Sequence, residues 1–394
     1  MRRQLSLFDS TRLNLDGAIQ LSLDSLREYG SRYNHWALAY SGGKDSSATV
    51  TFVAWAIITG KVAPPESLTV LYADTRLELV PLQRTAFALM DTLEGQGFNT
   101  QVVLPDVDDR FLVYMLGYGV PPSSNTFRWC TPKVKVKPMM DALWSLREER
   151  GEKFLMLTGV RQGESAARDQ RIAVSCSRDS GECGQGWFQV STPESIADTL
   201  APLLHWRLCH VYDWLYFDLY GHGYDVSGIV DVYGEDDVRT GCVGCPLASR
   251  DTALGRLIRN QEWYYLHPLL ELKPLWRELK KAKWRKRKAQ PEKRKDGQWS
   301  KNVQRMGPLT MEGRAYGLER VLNIQARAGV NLIDAEEETR IREMWELDMW
   351  PRKWSADDVD ANELIPARML TDDGRIAEQA LLLKPLSVIA QNGS

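Results

Sequence analysis

The sequence predicts a doubly wound α/β fold with a mostly parallel sheet, on the evidence of two repeating patterns. Short apolar runs at His35–Tyr40, Ser67–Ala73 and Phe154–Thr158 have the length and composition of buried strands. Segments of helix length without internal breakers, such as Ser47–Thr59 and Leu79–Leu93, separate these runs. Strands that alternate with helices are typical of a parallel sheet covered on both faces.

Further elements follow the same pattern along the chain. The predicted elements are a strand at Gln101–Leu104 and helices at Lys135–Arg147, Val211–Tyr220, Met311–Ala328 and Ala335–Leu347. We expect three regions. Residues 1–34 form a helical lead-in, 35–250 form the α/β domain with cysteine-bearing loops, and 251–394 form a basic arm and a helical C-terminal region.

Composition places the chain among ordinary folded proteins. Of its 394 residues 43% are hydrophobic and 26% are charged. The start, MRRQLSLFDSTR, lacks the apolar core of a signal peptide. The apolar stretch Val50–Ile58 is too short to span a bilayer. We therefore expect a cytoplasmic protein with no membrane partner.

The segment SGGKDSS follows the first predicted strand and opens the next helix. Two adjacent glycines allow a sharp turn and a close approach to an anion, while backbone N–H groups, hydroxyls and a lysine supply donors. The spacing differs from a Walker loop, which has four residues between its glycines. The candidate phosphate-binding residues are Ser41, Gly42, Gly43, Lys44, Asp45, Ser46 and Ser47.

Asp45 has two open interpretations. Its carboxylate can lie beside a magnesium ion, or it can favour the positive end of the helix dipole as a first-turn residue.

Two other segments follow predicted strands and add charged side chains. Asp74 comes after the second strand, and TGVRQGES comes after the fourth. Because ligands of such sheets lie outside the carboxyl ends of the strands, we expect both segments to face the SGGKDS loop. Cations of the segments RWCTPKVKVKPM and GVRQGESAAR suit phosphate oxygens, and a glutamate there can orient an arginine or bind metal. These residues are Arg128, Lys133, Arg161, Arg168 and Glu164.

These motifs resemble those of a known superfamily. SGGKDS is similar to the PP-loop of the N-type ATP pyrophosphatases, which cleave ATP to AMP and pyrophosphate. LYADTRLE and the two cationic segments resemble the phosphoadenylylsulfate reductase-like branch. GPLTMEGRAYGLERVLNIQ and EEETRIREMWELD look like the tail of the ATP pyrophosphatase of bacterial DNA phosphorothioation systems, the DndC and SspD-like proteins. The resemblance extends over about residues 35–350.

The resemblance implies an adenine nucleotide alpha hydrolase-like fold that binds ATP and Mg²⁺. It implies adenylylation of a DNA backbone phosphate for sulfur incorporation, in a defence system. Implied partners are a cysteine desulfurase, other phosphorothioation subunits and DNA. In this sequence the implied catalytic residues are Lys44, Asp45, Arg161, Glu164 and Arg168. Asp74 joins the loop in binding ATP, and Arg128 and Lys133 bind the substrate.

Six cysteines lie between residues 130 and 245. Cys242 and Cys245 form a C-x-x-C pair, and Cys176 and Cys183 form a second pair in a glycine-rich loop. Two such pairs can hold zinc or a 4Fe–4S cluster, and the resemblance implies the cluster. Cys130 and Cys209 are further candidates, so the ligand set stays open. Cys209 best fits a buried unliganded thiol, because its helical context is apolar.

Three other functions remain open. An adenylylsulfate or phosphoadenylylsulfate reductase shares the substrate-side motifs, but its chemistry needs a nucleophilic cysteine near the C-terminus, and none follows Cys245. A tRNA thiolation enzyme shares the PP-loop and the cluster. A non-catalytic DNA-binding subunit that senses nucleotide is a further alternative.

A basic arm occupies residues 273–305. It contains fourteen lysines and arginines and three acidic residues, a net charge of +11, whereas the whole chain carries −2 and the rest therefore −13. Its prolines and glycine predict a helix that ends in a mobile loop. Trp276, Trp284 and Trp299 lie among or near the cations. This composition favours sequence-independent binding to nucleic acid through phosphates and stacked bases.

Overall fold

A computed structural model describes residues 13–163, 187–188, 196–219, 222–234, 240–288, 297–298, 305–362, 367–370 and 376–379. The α-helices are α1 Leu15–Gly30, α2 Lys44–Ile58, α3 Val80–Gly95, α4 Phe111–Leu116, α5 Lys137–Arg150, α6 Leu208–Asp213, α7 Ser227–Tyr233, α8 Thr252–Leu257, α9 Leu272–Leu279, α10 Met311–Ala328 and α11 Ala335–Glu346. Within the described ranges, no helix is long and apolar enough to cross a membrane.

The strands form three sheets. They are β1 His35–Tyr40, β2 Ser67–Ala73, β3 Asn99–Val103, β4 Phe154–Leu157, β5 Trp187–Phe188, β6 Ala197–Ala201, β7 Arg285–Arg287, β8 Met306–Leu309, β9 Val359–Asp360, β10 Ala367–Leu370 and β11 Ile376–Gln379. The sheets have the orders β3-β2-β1-β4-β6-β5, β8-β7-β9 and β10-β11. Short 3₁₀ segments lie at Val107–Asp109, Gln261–Glu271 and Ala282–Trp284, and π-helical segments at Thr131–Val136 and Trp214–Asp218.

The large sheet confirms the predicted fold class. Its neighbours β3, β2, β1, β4 and β6 run parallel, and only the edge strand β5 is antiparallel. Strand β1 pairs with β2 on one side and with β4 on the other. This arrangement is a doubly wound α/β fold, in which the direction of strand order reverses at β1.

Helices cover both faces of the large sheet because its central strands are apolar on both sides. On one face Leu143 of α5 packs in a core cluster with Ala37, Leu71 and Phe154. The opposite face carries Tyr40 of β1, whose hydroxyl accepts a hydrogen bond from Ser47 of α2. Burial of each large apolar side chain on these faces contributes about 1.5–3 kcal/mol to the free energy of folding. This packing fixes the sheet, and with it the loops at the carboxyl ends of its strands.

Most predicted elements are confirmed, with small shifts at their ends. The predicted bounds of β1, β2 and α10 agree with the structure. Helix α2 begins at Lys44, three residues before the predicted start, because the glycine turn leads directly into the helix. The prediction missed β6, a short strand that contains Asp198 and so lacks a continuous apolar run.

The chain forms two compact units built from interleaved segments. The first unit contains 1–105, 131–242 and 252–259, and the second contains 106–130, 243–251 and 260–394. The first unit holds the large sheet. A division at residues 34 and 250, as expected from the sequence, stays a prediction.

Aromatic side chains form much of the core of the second unit. Phe111 of α4 stacks on Trp129 with ring centroids 5.1 Å apart, and its ring lies edge-on to Trp276 at 6.2 Å. Trp276 is 3% exposed and donates a hydrogen bond to the carbonyl of Gly244. Trp276 is therefore a core residue, and the expectation that it stacks on a nucleic acid base is wrong.

The described part of the basic arm contains a helix, as predicted, and a strand that was not predicted. Helix α9 begins the arm, but Arg285–Arg287 form strand β7, which pairs with β8 and β9. Trp284, just before this strand, stacks on Tyr316 of α10 at 4.7 Å. Trp299 lies outside the described residues. The sequence analysis missed this strand because its partners lie elsewhere in the chain and its own residues are all cations. The predicted loop around Pro291 lies outside the described residues.

Candidate functional site

The first unit places several predicted site residues at the carboxyl edge of its sheet. Across the sheet, successive strands β1, β2 and β3 are added toward one edge, and β4 and β6 are added later toward the opposite edge. Such a reversal leaves a crevice between the carboxyl ends of the two central strands, where α/β proteins bind ligands. Here the strands are β1 and β4, so the segments 41–43 and 158–161 face this crevice.

The loop after β1 has the backbone geometry of an anion site. Gly42 has φ of +70°, a conformation that favours glycine. Gly43 is extended and is the N-cap of the 15-residue helix α2. The first N–H groups of a helix have no intrahelical acceptor, and Gly43 has no side chain to cap them. The loop therefore presents backbone donors and the positive end of a helix dipole to a phosphate group.

Hydroxyl groups fix the loop internally. The Ser46 hydroxyl accepts a hydrogen bond from the Ser41 N–H at 3.2 Å and donates to the Gly43 carbonyl at 3.0 Å. The hydroxyls of Ser41 and Ser46 are 3.0 Å apart. Ser47 is fully buried, and its hydroxyl donates to Tyr40. Ser47 thus supports the loop from the core side, while Ser41 is exposed toward solvent.

Two cations flank one carboxylate at the start of α2. Arg161 Nε donates to Asp45 Oδ1 at 2.6 Å, and Lys44 Nζ lies 3.2 Å from Asp45 Oδ2. Arg161 is 5% exposed and also donates to the Trp206 carbonyl. Because both carboxylate oxygens already accept from cations, Asp45 positions Lys44 and Arg161 better than it would hold a metal ion. The cluster carries a net positive charge, which suits a polyphosphate.

The ring of Tyr233 completes the surroundings of Lys44. Lys44 Nζ lies 4.9 Å from the centre of this ring, and the Tyr233 hydroxyl lies 3.3 Å from the position of a Cβ built on Gly43. A cation over an aromatic face is attracted by the ring quadrupole. Burial raises the pKa of Tyr233, against the lowering effects of its hydrogen bonds with Thr240 and with the backbone N–H of Lys44. Sequence motifs did not indicate Tyr233, which lies far from the loop in the chain.

Gly159 allows the segment after β4 to approach helix α2. A Cβ at this position would lie 2.9 Å from the carbonyl carbon and oxygen of Asp45 and from Cα of Ser46. Real Cβ atoms essentially never come this close to a backbone, so only glycine fits without a shift. The close approach brings Arg161 within hydrogen-bonding distance of Asp45.

A buried acidic turn follows β2. Asp74 is 5% exposed and accepts a hydrogen bond from the Arg76 N–H at 2.8 Å. Glu78 accepts from the Thr75 hydroxyl at 2.6 Å. Burial raises the pKa of Glu78 to about 7, against the lowering effects of the Thr75 hydrogen bond and of Lys135. The sequence indicated Asp74, but Glu78 was quoted only as part of a motif.

Two hydroxyls at the same edge of the sheet are buried without a hydrogen-bond partner in the described part of the chain. They are Tyr72 Oη on β2 and Thr158 Oγ1 directly after β4. An unsatisfied buried hydroxyl costs about 1–3 kcal/mol, so such groups are expected where a ligand supplies the partner. Neither residue was singled out from the sequence, because hydroxyl residues next to strands are common.

The other site residues predicted from the sequence do not all lie among the described residues of the first unit. Lys133 lies half-buried in the first unit, whereas Arg128 is exposed in the second. The predicted catalytic residues Glu164 and Arg168 and the cysteines Cys176 and Cys183 lie outside the described residues.

The described cysteines do not by themselves form a metal centre. Cys242 belongs to the first unit, with its sulfur 3.6 Å from the Thr75 hydroxyl, and Cys245 belongs to the second. Among the described residues, no three Cys, His, Asp or Glu side chains come together as a metal site. Cys209 is exposed, so the expectation of a buried thiol is wrong: short helix α6 buries His210 and Val211 instead.

Fold and site together define a nucleotide-binding α/β domain of the PP-loop class. The profile of the phosphoadenosine phosphosulfate reductase domain family matches residues 35–247, more than half of the chain. The chain therefore belongs to this family. The match contains the whole crevice described above, from the loop after β1 to Tyr233.

Solved structures that match part of this chain include three enzymes, each at a TM-score of 0.33. Phosphoadenylyl-sulfate reductase from Candida auris, in a phosphate complex, is 13% identical over 56% of this chain and 92% of that chain. FMN adenylyltransferase from Candida glabrata, with FMN and the ATP analogue AMPCPP, is 14% identical over 51% and 56%. U34-tRNA thiolase NcsA from Methanococcus maripaludis, with its 4Fe–4S cluster, is 14% identical over 67% and 80%. No curated protein matches the chain.

Proposed function

We propose that this protein is an ATP pyrophosphatase that transfers the adenylyl group of ATP to an anionic acceptor. One observation carries the proposal: the PP-loop and the segment after β4 meet where strand order reverses, and Asp45 joins Lys44 to Arg161 there. A triphosphate placed against the N-terminus of α2 would lie next to both cations.

The residues of the crevice suit cleavage between the α- and β-phosphates. The acceptor oxygen bonds to the α-phosphorus while the bond to the bridging oxygen breaks, and pyrophosphate leaves with the bonding electrons. Backbone N–H groups of the loop and of the first turn of α2 hold the leaving pyrophosphate. Lys44 and Arg161 stabilise the negative charge that develops on the phosphoryl oxygens. The Thr158 and Tyr72 hydroxyls, which lack partners among the described residues, are placed to donate to the nucleotide or the acceptor.

Magnesium would enter this site with the nucleotide, since Mg²⁺ in such enzymes is often held largely by substrate phosphates. The described residues provide no set of three metal-ligating side chains, and Asp45 is engaged by cations. We assign charge stabilisation on the phosphoryl oxygens to Lys44 and Arg161 in addition to any magnesium that enters with ATP.

We further propose that the acceptor is a DNA backbone phosphate and that adenylylation prepares it for sulfur. Adenylylation turns a poor leaving oxygen into AMP, which a sulfur nucleophile from a cysteine desulfurase partner then displaces. The resemblance of residues 307–325 and 336–348 to the phosphorothioation pyrophosphatases supports this acceptor, as does the basic arm. Cys176, Cys183, Cys242 and Cys245 remain the proposed ligands of a 4Fe–4S cluster, with zinc as the alternative.

Product analysis tests the reaction. The purified protein, incubated with ATP, Mg²⁺ and either DNA, tRNA or no acceptor, should release AMP and pyrophosphate. Lys44→Ala should lower the rate about 100-fold or more, the usual effect of removing one charge-stabilising group. The matched control is Lys61→Ala, because Lys61 also lies over an aromatic ring, that of Trp55, at 5.2 Å. Release of ADP and phosphate would contradict the proposal, and ATP binding without turnover would identify a nucleotide sensor.

Three further measurements test the acceptor, the reductase alternative and the cluster. Mass spectrometry of DNA from cells with and without this gene should find phosphorothioate dinucleotides only in its presence. Sulfite release from phosphoadenylyl sulfate by the purified protein, with a dithiol supplied as the two-electron reductant, would favour a reductase instead. Anaerobic purification should give a brown protein with sulfur-to-iron absorption, whereas a colourless protein with stoichiometric zinc would exclude the iron–sulfur cluster.

A further inference from the structure

A second cationic site lies within the second unit, in a cavity of about 210 Å³. Loop residues 245–249 form one wall, and Lys273, Trp276, Arg277 and Lys280 form the other. Three of these four come from helix α9, and Lys280 directly follows it. We call this cavity the Lys273 pocket.

The Lys273 pocket carries three positive charges and no lining carboxylate. Lys273, Arg277 and Lys280 are spaced so that one helical face presents all three to the cavity. The nearest acidic residues along the chain have other partners. Glu278 pairs with Lys281 and Lys283, and Glu271 pairs with Arg320 and Arg327. Asp251 accepts a hydrogen bond from the Gly244 N–H.

The walls of the pocket are held in place by hydrogen bonds. Lys273, 7% exposed, donates from Nζ to the Ala248 carbonyl at 3.1 Å. Lys280 donates to the Ser123 carbonyl at 3.0 Å, and Trp276 donates to the Gly244 carbonyl at 2.8 Å. These bonds fix both ammonium groups and the loop before any ligand arrives. Preorganised donors lower the entropic cost of binding.

The two ammonium groups lack a counter-charge among the residues of this cavity. Carbonyl oxygens satisfy part of their hydrogen bonding but do not neutralise them. Burial of a cation without an opposite charge is unfavourable, and burial lowers the pKa of Lys280 for this reason. An anion with several oxygens would relieve this cost and accept from the remaining N–H groups.

We propose that the Lys273 pocket binds a phosphate group. The cavity is smaller than the roughly 300–1,000 Å³ of pockets that enclose drug-sized ligands, so it suits a phosphate group with water and not a whole nucleotide. Arg277 is exposed at the mouth and offers its planar fork to two phosphate oxygens. Lys273 and Lys280 contact the phosphate from inside. The inference does not depend on the adenylylation reaction, because this pocket and the PP-loop use different residues.

Calorimetry with inorganic phosphate tests this site. The protein carrying Lys44→Ala is the reference, so that phosphate bound at the PP-loop does not dominate the signal. In this background Arg277→Gln should weaken phosphate binding at least tenfold, and Lys273→Met should weaken it further. Arg277 is exposed, so its replacement keeps the fold. Lys281→Gln is the matched control, because Lys281 adjoins Lys280 but pairs with Glu278 and does not line the cavity.

Three results would overturn the proposal. The first is that the reference protein binds no phosphate, and the second is that Arg277→Gln binds phosphate as tightly as Lys281→Gln. The third is that Cys245→Ser abolishes binding while Arg277→Gln leaves it intact, which would assign the pocket to thiol chemistry. A short oligothymidylate, measured by fluorescence anisotropy, then identifies the source of the phosphate. Competition between the oligonucleotide and phosphate indicates a nucleic acid backbone, and its absence indicates a free phosphate.

Discussion

Arg161 and Asp45 lie 116 residues apart in the chain and yet form an ion pair in the crevice, at 2.6 Å. Sequence motifs indicate each residue separately, because each follows an apolar run that reads as a strand. The bond between them requires β1 and β4 to be neighbours in the sheet, and no residue pattern specifies that order. For the same reason Tyr233 was missed, although its ring lies over Lys44.

Replacement of Gly159 by alanine should damage both stability and ATP use. The new Cβ would lie 2.9 Å from the backbone of Asp45, so helix α2 or the segment after β4 must move. We expect a loss of about 1–3 kcal/mol in the free energy of unfolding, measured with urea, together with weaker ATP binding. Gly255→Ala is the control, since its Cβ meets nothing within 4 Å in helix α8. Unchanged unfolding and ATP binding in Gly159→Ala would show that the two segments are not in contact.

Glu78 should make stability depend on pH. Its pKa is raised from 4.5 to about 7, chiefly by burial, so the folded protein holds this proton more tightly than the unfolded chain does. The stabilisation is therefore complete below pH 4.5 and is lost as pH rises through 7. Relative to Glu78→Gln, we expect the free energy of unfolding to fall by up to about 3 kcal/mol over this range.

Urea unfolding at a series of pH values measures this effect. Glu66→Gln, which changes an exposed carboxyl of the same unit, should keep the pH dependence of the unaltered protein. If the curves of the unaltered protein and Glu78→Gln run parallel, Glu78 does not titrate between these pH values.

Among the secondary-structure elements, the sequence predicted the strands that consist of continuous apolar runs. Strands β1 and β2 satisfied that condition, and their bounds were predicted. Strand β7 consists of Arg285, Lys286 and Arg287, and its strand conformation comes from pairing with β8 and β9. Such pairing depends on distant partners, so local composition did not indicate this strand.

Strand β7 also changes what the basic arm offers to a nucleic acid. Lys286 pairs with Asp360 at 2.9 Å, and Lys288 pairs with Asp358 at 2.9 Å. Acidic side chains thus already occupy two cations of the arm. A nucleic acid phosphate would have to displace these carboxylates, so the net charge of the arm overstates its capacity for phosphate.

The double variant Asp358→Asn, Asp360→Asn should bind DNA more tightly. Each lysine released from a carboxylate can neutralise a phosphate, and each such contact adds about 0.9 to the slope of log affinity against log salt. We expect an increase in slope of roughly 1–2, measured by fluorescence anisotropy with a DNA duplex at several salt concentrations. Asp141→Asn, which releases exposed Lys137 on helix α5, is the control. Equal slopes in the double variant and the control would exclude the lysines of β7 from DNA binding.

At the scale of the whole molecule, the two units are interleaved along the chain. Residues 106–130 and 243–251 belong to the second unit, although most of that unit comes from residues 260–394. Composition and motifs indicated a boundary near residue 250, because motif resemblance follows the linear sequence. The contacts between residues 106–130 and 260–394 join parts of the chain that are far apart in sequence. No motif or change in composition indicates such contacts.

A fragment of residues 1–250 tests which division is right. The fragment keeps Phe111 and Trp129 but loses Trp276, the ring that Phe111 contacts edge-on. We expect it to expose this apolar surface, bind the dye ANS and aggregate, because the large-to-small loss of an aromatic partner alone costs about 3–5 kcal/mol. A monomeric fragment that melts cooperatively and still binds ATP would support the boundary at 250 instead. The fragment 1–262 is the control for chain length. It also lacks Trp276, so it should expose the same apolar surface and aggregate in the same way.

The pairing of Phe111 with Trp276 also bears on how the protein emerges from the ribosome. About 150 residues separate Trp129, which stacks on Phe111, from Trp276. At roughly 5–20 residues per second, the early aromatic segment waits on the order of 10–30 s for its partner to be synthesised. During that interval Phe111 and Trp129 are not yet packed against Trp276. A chaperone that binds nascent chains would therefore bind the segment around Phe111 and Trp129 during these seconds.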